Sequence, residues 1–189
     1  YVVQRMAELS TLFALLSMLL YSLARQRQME CTPGAKFFYT GLVVTFLLAI
    51  FSKENGILIP GYLFLIEVVF LRFRASDPSV SRWLERLHLS GAALALPVVI
   101  FAFLHYGTSY QNRDFTVEER LLTQARVLWF YAQSILLPDI RSMAIFHDDV
   151  AISYSLLDPP ATLLAIFGLI AALIAGIILR RRVPVLSFG

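Results

Sequence analysis

The chain alternates long apolar runs with short arginine-rich stretches, and five runs are apolar enough to cross a bilayer: residues 7–24, 35–51, 56–71, 87–104 and 161–179. Each approaches the roughly 20 residues that a hydrocarbon core about 30 Å thick requires, the second and third being the shortest. A sixth segment, 118–137, differs in kind. Its wheel places Glu119, Arg120, Thr123, Gln124, Arg126, Tyr131, Gln133 and Ser134 on one half. Leu121, Leu122, Ala125, Leu128, Trp129, Ala132, Ile135 and Leu136 fill the other, an amphipathic pattern. The pattern predicts an all-α polytopic membrane bundle, one unit over 1–189, with five spans and one interfacial or re-entrant helix.

Composition agrees. Of 189 residues 58% are hydrophobic and 15% charged, which excludes a disordered segment and an ordinary water-soluble domain. Cys31 is the single cysteine, so an internal disulfide and a thiolate metal site are both excluded. The first residue, Tyr1, and the Val183 to Gly189 end, where another apolar segment begins, read as those of an internal piece of a longer protein.

Basic residues set the expected orientation. Ten of the sixteen, Arg25, Arg27, Lys36, Arg72, Arg74, Arg82, Arg86 and Arg180 to Arg182, fall on one side with the acids Glu30, Asp77 and Glu85. The other side carries six bases and nine acids, and Glu67 lies inside the third span. The basic side is therefore expected in the cytoplasm. The 52–55 turn and the stretch 106–160 then face outward, and 118–137 cannot cross the membrane once without breaking this charge rule; the alternative is a true span that packs Arg126 against a neighbour. This asymmetry accounts for the net charge of +3 without nucleic-acid binding.

Candidate chemistry gathers on the outer side. Ser52-Lys53-Glu54-Asn55-Gly56 places polar residues between two short spans, which costs several kcal/mol unless they pair, snorkel or line a wet cavity. Two readings fit: Lys53 binds the phosphate of a lipid carrier, or Lys53 and Glu54 pair across a hairpin turn made by Asn55-Gly56, with Pro60 opening the next helix. Arg5, at the outer end of the first span, is a snorkelling residue or a ligand contact. Arg126, flanked on its polar face by Arg120, Tyr131 and Gln133, offers a planar fork to a phosphate or anchors the helix on anionic lipid. Glu67 is expected to pair with Arg72 or a helix end, and His88 and His105 to sit at span ends. His147, Asp148 and Asp149 read as a solvated loop rather than a metal site, and no metal-ligand spacing occurs elsewhere.

In order, Tyr1-Val-Val-Gln-Arg-Met6, Ser52-Lys-Glu-Asn-Gly-Ile-Leu-Ile-Pro60, Arg120-Leu-Leu-Thr-Gln-Ala-Arg-Val-Leu-Trp-Phe-Tyr131 with Leu136-Leu-Pro138, and Ser153-Tyr-Ser-Leu-Leu-Asp-Pro-Pro160 resemble segments of bacterial membrane proteins with a tetratricopeptide-repeat tail. Those are similar to the transmembrane and tetratricopeptide-repeat O-mannosyltransferases and, more distantly, to protein O-mannosyltransferases of the GT-C fold. The resemblance covers nearly the whole chain. It implies a glycosyltransferase of the bacterial cytoplasmic membrane, active on the periplasmic face. The donor would be a polyprenyl-phosphate-linked sugar and the acceptor a hydroxyl of a protein or glycan. It also implies that the catalytic carboxylate lies in a loop before Tyr1 and that the repeats follow, so this chain is expected to supply cations and no assigned base. Two rival readings remain open, a transporter or flippase for a lipid-linked sugar and a noncatalytic membrane platform.

Overall fold

The computed structural model describes residues 2–106, 116–137 and 151–188, which form seven α-helices and no strand. They are α1 (Val2–Met29), α2 (Ala35–Ser52), α3 (Ile59–Ile66), α4 (Pro78–Tyr106), α5 (Val117–Leu136), α6 (Ala161–Leu179) and α7 (Pro184–Phe188). Five stretches are long and apolar enough to span a membrane: Arg5–Met29, Ala35–Ser52, Glu54–Leu71, Pro78–Phe101 and Ala161–Leu179. Their outward faces are apolar, Leu94 being 70% and Leu164 73% exposed, as in helices solvated by lipid. The protein is an all-α integral membrane protein.

Two expected spans are longer than their apolar runs. The 28 residues of α1, at about 1.5 Å each, reach about 42 Å, so its last turns, carrying Arg25 and Arg27, extend past an apolar core about 30 Å thick. α4 begins at Pro78 rather than near residue 87, so most of the expected 72–86 loop is helix. Pro78 suits a first turn, and the Asp77 carboxylate accepts the Ser79 N–H at 2.8 Å, filling one of the donors a helix start leaves open.

The third span is not one regular helix. It runs as a 3-10 turn over Glu54–Leu58, then α3, then a π-helical turn over Glu67–Leu71 in which the Arg72 N–H bonds the Glu67 carbonyl. Arg72 and Phe73 both take left-handed backbone angles, φ 53° and 55°, and turn the chain sharply at its end.

The chain divides into two compact units, 1–95 with 180–189, and 96–179. In the first, α1 and α2 pack through small residues. Ser10, Ser17 and Ala24, one heptad apart on α1, are buried, as are Thr45 and Ala49 on α2. The Ser17 and Thr45 hydroxyls bond at 2.8 Å and the Ser10 hydroxyl reaches the Ala49 carbonyl at 3.4 Å, the close, hydrogen-bonded contact that replaces hydrophobic attraction between helices in lipid.

In the second unit α5 packs on α6. A Cβ added to Gly168 would lie 2.7 Å from the Trp129 ring, so glycine is what lets the indole lie against α6 and donate to the Ala165 carbonyl at 2.9 Å. α5 opens with a reciprocal cap: the Thr116 hydroxyl accepts the Glu119 N–H at 3.2 Å and the Glu119 carboxylate accepts the Thr116 N–H at 2.7 Å.

Candidate functional site

The Lys53 turn is built by the end of α2. The Lys53 N–H bonds the Ala49 carbonyl at 3.0 Å, closing α2, and Lys53 itself is extended, φ −164° and ψ 147°, before the 3-10 turn begins. That turn folds back onto α2. A Cβ on Gly56 would lie 2.5 Å from the Ala49 carbonyl carbon and from the Ile50 nitrogen, so glycine is required here by close backbone approach.

Lys53 is half-buried and Glu54 exposed. Among the described residues neither side chain has a hydrogen-bond or ion-pair partner, and the Arg25–Glu67 pair is the one salt bridge found. The Lys53–Glu54 pair across the turn is therefore not formed. Asn55 opens instead onto a cleft of about 280 Å³ between α1 and α3, shared with Ala7, Ser10, Thr11, Leu58 and Tyr62. Arg5 is exposed on the first turns of α1, two residues before Ala7.

Arg126 lies in the second unit, where its guanidinium already has work. Nη1 donates to the Ala151 carbonyl at 3.0 Å and to the Ser153 hydroxyl at 3.1 Å. Ser153, fully buried, is a hub: its N–H donates to the Thr123 hydroxyl at 2.9 Å and its own hydroxyl accepts from Thr162 at 2.9 Å. Thr123 and Arg126, on the polar half of the wheel, thus face the 151–162 segment. Leu121, Leu128 and Ile135 of the apolar half are exposed. Arg126 also lines a cleft of about 470 Å³ with Trp129, Phe130, Gln133, Leu164 and Gly168. Arg120 and Tyr131 are exposed on α5 and line no part of it. His147, Asp148 and Asp149 lie outside the described residues, and among those described no group of three metal-binding side chains occurs.

A cluster that hydropathy does not reveal fills the other end of the first unit. Glu67, at the first position of the π turn, is fully buried and pairs with Arg25, where the sequence suggests Arg72 or a helix end. Arg25 Nε donates to Glu67 Oε1 at 2.5 Å, the Tyr21 hydroxyl donates to the same oxygen at 2.6 Å, and the Phe73 N–H donates to Oε2 at 3.1 Å. Arg25 Nη1 reaches Gln28 Oε1 at 2.7 Å and Nη2 the Arg74 carbonyl at 2.5 Å. His88 of α4 stands 3.2 Å from the Tyr21 hydroxyl, packed among the rings of Tyr21, Phe64 and Phe73. The cluster joins α1, α3 and α4. The signal available in the sequence was Glu67 itself, an acid inside an apolar run that must find a cation.

No protein-family model, curated protein or solved structure matches this chain.

Proposed function

We propose that the chain is part of a membrane glycosyltransferase that moves a sugar from a polyprenyl-phosphate carrier to a protein or glycan hydroxyl on the outer face of a bacterial cytoplasmic membrane. In this reading the carrier phosphate is held at the Lys53 turn. One observation carries the assignment. The side chain of Lys53, a half-buried residue between two candidate spans, has no hydrogen-bond or ion-pair partner among the described residues and so leaves its ammonium available to a ligand, whereas Arg25 is fully matched by Glu67.

The chemistry suits the residue. The acceptor oxygen attacks the anomeric carbon, the bond from that carbon to the carrier phosphate oxygen breaks, and the acceptor proton passes to a base. Charge then develops on the departing phosphate, where a preorganised cation acts most strongly. Lys53 offers three donors on a mobile stem, Asn55 adds an amide at the mouth of the cleft, and the apolar walls suit the first isoprene units. Arg5 and Arg126 are candidate further cations, and Arg120 and Tyr131 of α5 candidate further contacts. No residue of the chain is assigned as the base, and no metal is invoked.

The transporter reading has one observation in its favour, the broken third span, since interrupted helices are used by transporters at their binding sites. Both readings are tested in membranes carrying the full-length protein, by transfer of radiolabelled sugar from a polyprenyl-phosphate donor. Transfer that falls about 100-fold in Lys53→Ala supports the enzyme. Donor binding without transfer, with donor crossing the bilayer, would favour the transporter.

A further inference from the structure

An open groove of about 590 Å³ runs beside α1 toward the basic end of the first unit, within the range of about 300–1,000 Å³ typical of ligand sites. Met18, Leu19, Ile66, Phe70 and Phe188 give it apolar walls. Its two polar residues are occupied within the chain. The Ser22 hydroxyl donates to the Met18 carbonyl at 2.8 Å, and the Gln26 amide donates to Glu30 at 3.0 Å. The groove thus asks for an apolar occupant. α7 flanks it, the Phe188 ring standing 5.5 Å from that of Phe70.

The charge beside the groove is one-sided. Leu71, which lines it, is followed at once by Arg72, and Arg180, Arg181 and Arg182 lead directly into α7. Among the described residues none of these four guanidiniums has a carboxylate partner, whereas Arg25 at the same end is matched by Glu67. Four arginines without a carboxylate partner, adjoining in sequence the residues that line an apolar trough, complement a molecule with an anionic head and a hydrocarbon tail. In a membrane-spanning unit that molecule is a constituent of the bilayer.

We propose that one acyl chain of an anionic phospholipid lies in this groove, with its phosphate at Arg72 and Arg180 to Arg182. The site is separate from the Lys53 turn and stands whether or not that turn binds a carrier. Occupied, it joins α7 to α1 and to the π-helical end of the third span.

The test uses the full chain in phosphatidylcholine vesicles, comparing association of spin-labelled phosphatidylglycerol with that of spin-labelled phosphatidylcholine. Phosphatidylglycerol is expected to win, and each arginine removed, in Arg72→Gln and Arg181→Gln, to reduce its advantage about fivefold. Leu19→Trp, which fills the groove with all arginines intact, is expected to abolish the advantage. Phe188→Ala, which opens the groove at its α7 wall and leaves the spans untouched, should do the same. Equal association of the two lipids overturns the proposal. So does a preference that survives both groove variants, which would mean surface charge attraction alone, or a groove occupied by another helix.

Discussion

The two ends of the first three helices treat charge in opposite ways. At one end Arg25, Glu67, Tyr21 and Gln28 bond one another and nearby backbone, and no buried side-chain nitrogen or oxygen among the described residues lacks a partner. At the other, Lys53 sits half-buried at the junction of two spans with nothing to bond, beside an open cleft. The buried charges are matched completely, as a low-dielectric setting requires, while Lys53 keeps its ammonium open, as the proposed carrier site requires. The contrast gives definite expectations for substitutions at each end.

The largest effect belongs to the buried pair. Glu67→Ala leaves the Arg25 guanidinium buried without its anion and is expected to cost about 3–5 kcal/mol, read as loss of stability in detergent. The double variant Arg25→Met with Glu67→Met should be more stable than either single one, because it removes both charges together. A single variant as stable as the wild type would dissolve the contrast.

Gly56→Ala comes next, at about 1–3 kcal/mol, because its Cβ must displace the backbone of Ala49 and Ile50 and with it the Lys53 turn. Arg126→Ala should cost about 1.5–3 kcal/mol through the lost bonds to Ala151 and Ser153. Proteolysis within 151–162 would report the loosened segment. Loss of transfer in that variant would therefore speak less directly about phosphate than loss in Lys53→Ala.

The smallest effect is at Asp77, fully exposed, whose carboxyl is held below its usual range first by the Ser79 N–H and then by the Ser79 hydroxyl. A depressed folded value means that its contribution to the start of α4 is present above the ordinary carboxylate range. It is lost as pH falls through the lowered value. The stability difference between wild type and Asp77→Asn should accordingly shrink on acidification and be flat above neutrality.

Much of this organisation is legible in the chain. Five apolar runs mark the spans because lipid demands continuous hydrophobic length, and 118–137 stands apart because its polar residues recur at helical spacing. Helix ends were less visible: the charged residues 78–86 read as a loop, yet Asp77 and Pro78 start a helix there that extends beyond its apolar run. Arg25 was counted with the loop bases, although it is fully buried, because its partner lies 42 positions away and no local pattern records a pairing across helices. Thr123, Ser153 and Thr162 were missed for the same reason. Gly56 was noticed as a turn residue, whereas its need arises from the carbonyl of Ala49 pressed against it, a contact only packing creates.

The most direct measurement pairs stability with transfer in Lys53→Ala. The account predicts stability within about 0.5 kcal/mol of wild type, since no contact of the ammonium is lost, together with transfer from polyprenyl-phosphate sugar reduced about 100-fold. Wild-type transfer in a stably folded Lys53→Ala protein would contradict it.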